Sequence, residues 1–214
     1  MASVSSAVAR NIATASTFTA PYRHWVLETV FPRNLALALD ELSIDEARDM
    51  EFGGRRECNN SKRVFFDPAM QAASAAVAEA VAAFRDPEVV AAIEATCAVD
   101  LAGTFLRIEY CQDTDGFWLE PHTDIGAKRF TMMCYLSVGE GSDPCGTDMM
   151  DREGRVLGRA PFHLSAGFIF IPGSDTWHGF VPRRINGVRK SLMINYVGPE
   201  WRARHELSSG VPVK

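Results

Sequence analysis

The hydrophobic pattern of this chain changes its period once. Up to about residue 100, apolar side chains recur at helical spacing; beyond it, short runs of β-branched and aromatic residues are separated by Gly, Asp and Pro. Residues 34–42 read as an amphipathic helix beginning near Pro32. Asp67-Pro68 and Asp86-Pro87 each set a capping carboxylate before a proline at the first helical position. Helices are therefore predicted over Ala69–Phe84 and Glu88–Ala98. Met1–Ala20, rich in Ala, Ser and Thr, reads as a frayed or weakly helical lead-in without the basic start and unbroken apolar run of a signal peptide. Gly53–Arg63 is polar and irregular and reads as a solvated surface loop.

Strands are predicted at Gly103–Cys111, Phe117–Glu120, Arg129–Val138, Arg155–Gly158, Gly167–Ile171, His178–Val181 and Val188–Val197. That number of short strands implies a sandwich or a barrel. The 214 residues suit one domain: a helical part over 1–100, a β-rich catalytic core over 101–200 and a tail over 201–214.

Composition narrows the function classes. With 47% hydrophobic residues the chain can bury a core, and no window reaches the apolar length of a membrane span. A net charge of -5 removes the general attraction to phosphate that a nucleic-acid binder carries. The five cysteines form no C-x-x-C pair, which points to a reducing, cytoplasmic setting rather than a disulfide framework. Phosphate-cradling glycine motifs and the G-x-S-x-G elbow are absent from the sequence.

Candidate chemistry lies in the β-rich half. His122-Thr-Asp124 on an extended segment points two metal-ligating side chains to one face. With a third ligand, two histidines and one carboxylate make a facial triad that suits ferrous iron and leaves positions open for a cosubstrate and O2. His178 follows an apolar strand and a tight turn, placing it at the mouth of a barrel. Arg189 and Ser191 alternate on the apolar strand after it and project inward together. A buried arginine needs an anion. A dicarboxylate cosubstrate supplies one, and a barrel carboxylate such as Glu109 is the structural alternative.

The order His122-x-Asp124, His178, Arg189-x-Ser191 resembles the Fe(II)/2-oxoglutarate-dependent dioxygenases, in their prolyl-4-hydroxylase-like branch. The likeness covers about Gly103–Val197, with a weaker echo from Tyr22 to Phe31. It implies an α+β, mainly β fold: a double-stranded β-helix (jelly-roll, cupin-like) barrel with N-terminal supporting helices. It also implies iron ligation by His122, Asp124 and His178, and a salt bridge from Arg189, assisted by Ser191, to the distal carboxylate of 2-oxoglutarate. Tyr135 is implied as a second anchor of that carboxylate, and Tyr110 as the tyrosine on the strand before the metal motif. The implied reaction hydroxylates an unactivated C–H bond and releases succinate and CO2.

Halogenases of the superfamily lack the carboxylate ligand, which is intact here as Asp124. Its nucleic-acid demethylases carry a second arginine where this chain has Asn195. A small polar metabolite, such as a free amino acid or derivative, is the expected substrate, with no nucleic-acid or membrane partner; oligomeric state is left open. Arg56, Asn60, Trp118 and Trp201 are candidate substrate contacts, each also readable as a loop residue or packing aromatic. A peptidyl-prolyl-type hydroxylase, a cupin-type metalloenzyme that ignores 2-oxoglutarate, and a non-catalytic binding barrel are the alternatives.

Overall fold

The computed structural model describes residues 3–44, 61–137 and 143–214. In chain order the regular elements are α1 (Val4–Ala13), β1 (Ser16–Phe18), β2 (His24–Leu27), α2 (Arg33–Asp40), β3 (Ser61–Phe65), α3 (Pro68–Ala73), α4 (Ala75–Arg85), α5 (Pro87–Cys97), β4 (Phe105–Asp113), β5 (Leu119–His122), β6 (Lys128–Tyr135), β7 (Asp148–Met150), β8 (Val156–Arg159), β9 (Gly167–Phe170), β10 (His178–Phe180) and β11 (Arg189–Val197).

The expected caps form. Asp67 accepts from the Met70 N–H at 2.7 Å and Asp86 from the Glu88 N–H at 2.9 Å, each ahead of a proline whose missing donor costs nothing there. The single helix expected over Ala69–Phe84 is instead two. Ser74 adopts extended backbone, φ -140 and ψ 120, and its hydroxyl accepts from the Val77 N–H to start α4. Serine competes with helical backbone by capping, and one such residue is enough to break an otherwise alanine-rich run. The lead-in is also better ordered than its composition suggests. Ser3 caps α1, whose Val8, Ala9 and Ile12 are buried, and the helix packs on α5.

Two antiparallel sheets make up the rest. The larger has the order β1-β2-β9-β6-β11-β4-β3, the smaller β5-β10-β7-β8. One face of the larger sheet, with Leu106, Ile108, Tyr110, Met132, Ile194 and Tyr196, joins the helices in the main hydrophobic core. A second apolar cluster, including Met133, Tyr135, Phe168 and Phe170 from the larger sheet and Met149 and Phe180 from the smaller, fills the space between the sheets. This is a mixed, mainly antiparallel jelly-roll arrangement. The N-terminal hundred residues are not only helical: β2 pairs with β9 and β3 with β4, so both belong to the larger sheet. Ser61–Arg63, expected as the end of a loop, open β3. The tail is tied down as well, since Leu207 and Val213 are buried and the Ser208 and Val213 N–H groups donate to Leu106 and Thr104. Among the described residues no helix is long and apolar enough to cross a membrane.

Candidate active site

Alternation along β4, β6 and β11 sorts the chemistry. On β4, Leu106, Ile108 and Tyr110 face the helices, which turns Arg107, Glu109, Cys111 and Asp113 towards the space between the sheets. On β11 the same alternation turns Arg189, Ser191 and Met193 inward, and on β6 Thr131 and Met133. These side chains line a cavity of about 280 Å³ together with residues of the smaller sheet.

The metal-ligating group sits where the two sheets meet. His122 at the end of β5 and His178 at the start of β10 are directly opposite in the ladder, with ring centroids 4.3 Å apart. A Cβ at Gly179 would lie 2.6 Å from the Leu119 carbonyl oxygen, so only glycine beside His178 lets the strands approach this closely. Ligand atoms of His122, Asp124 and His178 all lie within 4.8 Å of one another. Each histidine turns Nδ1 to a backbone carbonyl, Glu120 at 2.8 Å and Thr176 at 2.9 Å. As donors there, both rings are held in the tautomer whose Nε2 carries the lone pair, the form a metal takes. Burial, together with the neighbouring His122, pushes the His178 pKa down to about 4, so it is neutral at pH 7.

Asp124 is held from both sides. Lys128 Nζ donates to Oδ1 at 2.7 Å and Thr131 Oγ1 to Oδ2 at 2.8 Å. Burial works to raise its pKa, but the Lys128 charge, His178 and these hydrogen bonds bring it below the usual range. Behind Thr131 a directed chain of donors continues. Asn195 Nδ2 donates to Thr131 Oγ1 at 3.0 Å, and Arg107 Nη1 to Asn195 Oδ1 at 3.3 Å. Every link points towards the carboxylate, an arrangement in which hydrogen bonds polarise one another.

At one end of the cavity Arg189 is 5% exposed. Its Nε donates to the Cys145 carbonyl at 2.6 Å and its Nη1 to Asp113, whose other oxygen accepts from Ser61 at 2.7 Å. The barrel carboxylate that pairs with it is thus Asp113, not Glu109. Ser191 is wholly buried, lines the cavity, and its hydroxyl has no partner. Tyr135 is close behind, its ring 5.6 Å from the Arg189 guanidinium carbon. Its hydroxyl donates to Thr147 Oγ1 at 2.8 Å and accepts from the Thr147 N–H at 3.0 Å, so Thr147 is the residue presented to the cavity. Tyr110 is elsewhere: its ring stacks on Phe66 in the helix-side core. The register that makes it a site tyrosine is corrected by the inward turn of its neighbours Glu109 and Cys111.

The opposite end is a wall of buried charge. Glu109 accepts from Arg63 at 3.1 Å and from Arg107 at 2.7 Å. Arg107 also donates to Glu206 at 2.6 Å and lies between the rings of Phe65 and Trp201, at 4.8 and 5.0 Å. Burial opposes ionisation of Glu109, yet Arg63 and Arg107 hold its carboxyl below the usual range. Burial likewise works against the Arg107 charge, and Glu109 and Glu206 more than offset it. Of the expected substrate contacts, Trp201 lines the cavity, whereas Trp118 is half-buried outside it between the lining residues Phe117 and Leu119. Arg56 and Asn60 lie outside the described residues. Glu109, expected as a possible partner of Arg189, and Arg63, at the end of the expected substrate loop, line the cavity in other roles, and Arg107, Asp113, Thr131, Thr147 and Glu206 line it without a sequence expectation. For those on β4, the alternation Arg107-x-Glu109-x-Cys111-x-Asp113 in a strand of apolar outward residues is the signal that identifies them.

No family model matches the chain, and no curated protein does. Solved structures do share its fold. A prolyl-4-hydroxylase from Pseudomonas putida superposes with a TM-score of 0.60 at 18% identity, covering 91% of this chain and 99% of that one. A Trichoplax adhaerens prolyl hydroxylase, solved with a hypoxia-inducible-factor degradation-domain peptide fragment, gives 0.62 at 11% identity over 90% and 88%. The non-haem α-ketoglutarate-dependent epimerase SnoN of nogalamycin biosynthesis gives 0.53 at 14% over 98% and 95%. The fold is therefore that of the 2-oxoglutarate oxygenases, as the sequence motifs imply.

Proposed function

We propose that this chain is an Fe(II)- and 2-oxoglutarate-dependent oxygenase that hydroxylates an unactivated C–H bond of a small polar metabolite. The observation that carries the reading is that one cavity holds a facial His122, Asp124, His178 group and, at one end, a buried arginine beside an unpartnered serine hydroxyl. The donor set fits the metal: two imidazoles that each give Nδ1 to a backbone carbonyl and leave Nε2 to ligate, and one carboxylate held below its usual pKa range. Bound there, Fe(II) supplies the O2 activation that couples decarboxylation of 2-oxoglutarate to succinate with oxidation of the substrate C–H bond.

The chain's own residues do the holding. Arg189 and Ser191 take the distal carboxylate of 2-oxoglutarate, the serine hydroxyl gaining the partner it lacks. Tyr135 acts on that carboxylate through Thr147, because its own donor is already spent there. Phe117 and Phe180, both lining the cavity near Arg189, keep water from the ion pair and strengthen it. Peptidyl-prolyl hydroxylation is the second reading, favoured by the two prolyl hydroxylases that share the fold. SnoN is described as an epimerase, so the shared fold does not by itself fix the reaction. Asn195, engaged between Arg107 and Thr131, supports a substrate other than nucleic acid. The buried free thiols of Cys97, Cys111, Cys134 and Cys145 support a reducing compartment such as the cytoplasm.

The test is a metabolite screen on the purified chain that reads succinate with and without Fe(II) and 2-oxoglutarate, followed by mass spectrometry. Succinate that needs both, with a product heavier by one oxygen, is expected. Turnover of a substrate that does not consume 2-oxoglutarate would remove the oxygenase reading in favour of a cupin-type reaction.

A further inference from the structure

The wall opposite Arg189 supplies no metal ligand and no cosubstrate anchor, although its Arg107 also supports Asp124 through Asn195 and Thr131, and it concentrates charge in the interior. Arg63, Arg107, Glu109 and Glu206 all line the cavity, and Arg107 and Glu109 are buried. Taking such groups out of water is costly, and apolar residues of the same volume serve stability as well or better. Charges kept in a cavity wall beside a reactive centre are therefore a recognition surface before they are a structural one.

What the wall offers a ligand has two signs. Trp201 Nε1 is a buried donor without a partner on a residue that lines the cavity. Glu206 spends Oε2 on Arg107. Its carboxylate keeps further acceptor capacity. Trp201 and Glu206 both flank the Arg107 guanidinium, one against its face and the other at its Nε, so donor and acceptor are neighbours. Arg63, on the edge strand β3, adds a cation whose side chain is 19% exposed. A peptide interior brings only neutral amides to such a wall, and hydrogen bonds between a charged group and a neutral partner are weaker than those between opposite charges. A ligand that carries an ammonium and a carboxylate on one carbon answers both.

We propose that this wall binds the α-ammonium and α-carboxylate of a free amino acid. Glu206 takes the ammonium, and the Trp201 indole N–H with Arg63 takes the carboxylate, which presents the amino acid's side chain to the metal. The inference rests on the oxygenase reading for its chemistry but not for its binding.

Calorimetry on the full chain, with a panel of free amino acids, their N-acetyl and carboxamide forms, and a proline-containing peptide, tests it without turnover. At least one free amino acid is expected to bind, and blocking either its amine or its carboxylate to weaken binding about tenfold or more, the worth of a lost charge-assisted hydrogen bond. Glu206→Gln should weaken the free amino acid far more than its N-acetyl form. Trp201→Phe, which keeps the ring over Arg107 and removes only the N–H, should weaken the free acid far more than its carboxamide. Equal binding of free and blocked forms, preference for the peptide, or no binding by any free amino acid at millimolar concentration overturns the proposal. Succinate release measured on the same panel separates the two readings: binding without 2-oxoglutarate consumption by any member leaves the wall's assignment standing and removes the oxygenase.

Discussion

Arg189, at the start of β11, is ion-paired with Asp113 directly opposite it on β4. Both are buried, and the pair occupies the end of the cavity assigned to the cosubstrate's distal carboxylate. Asp113 thus fixes the guanidinium in place, and its charge also opposes a second carboxylate there. Arg189→Ala should weaken 2-oxoglutarate binding by roughly two orders of magnitude, the cost of leaving a buried charge unpaired. Asp113→Asn keeps the shape and an acceptor for Arg189 but removes the negative charge, so 2-oxoglutarate should bind several-fold tighter. Titration calorimetry on the Mn(II)-loaded protein reads both. Weaker binding by the Asn variant would mean that the charge of Asp113, not only its shape, is needed to orient Arg189.

The donor chain from Arg107 through Asn195 and Thr131 ends on Asp124. Groups that hydrogen-bond a metal ligand fix its orientation, and losing one costs about 10- to 100-fold in metal affinity. Thr131→Val, nearly isosteric, should weaken Mn(II) binding by that amount, and Asn195→Ala should weaken it less because the Thr131 hydroxyl remains. Electron paramagnetic resonance of free Mn(II) measures it. An unchanged affinity in Thr131→Val would show that Lys128 alone orients Asp124.

The two ends of the cavity were unequally legible in the sequence. Arg189 and Ser191 are legible as polar residues alternating in an apolar strand, and His122, Asp124 and His178 through ligand chemistry and spacing. Tyr110 shows the opposite case. It was placed by family register, whereas its own strand had already turned Arg107 and Glu109 inward and so turned it out. The charged wall was hidden because its members are spread over β3, β4 and the segment after β11, and only pairing brings Arg63 opposite Cys111 and beside Glu109. Helix caps carry their own local signal and were found. Ser74, with the same chemistry inside an alanine run, was outweighed by its neighbours.

Lys128 places an ammonium 2.7 Å from the carboxylate oxygen of Asp124. It has two effects on a divalent ion: it helps orient the ligand, and it repels the ion. Thr131 supplies orientation as well, so repulsion is the larger contribution. Lys128→Met, which keeps the length of the side chain, should tighten Mn(II) binding by about tenfold or more, because a unit charge about 5 Å from a dication repels it by several kcal/mol at an effective dielectric of about 20 and the lost orienting hydrogen bond offsets only part of that. The same Mn(II) titration at low and at high salt checks it, and weaker binding by the variant would assign Lys128 to positioning alone.

Glu109 carries the wall's acid sensitivity. Its carboxyl is lowered from the ordinary 4.5, burial opposing and Arg63 and Arg107 prevailing. A depressed carboxylate contributes stability that is fully present above its ordinary pKa and is lost as pH falls through the folded value. Glu109→Gln should therefore be destabilised at neutral pH by about 3 kcal/mol, because the buried Arg107 and the half-buried Arg63 lose a shared anion. The gap to the unaltered chain should narrow as pH falls below about 4.5, because the unfolded carboxylate takes up a proton there while the folded one does so only lower still. Urea midpoints at neutral and acidic pH measure this. A gap that stays constant across that range would mean that Glu109 contributes through packing, with Glu206 alone balancing Arg107.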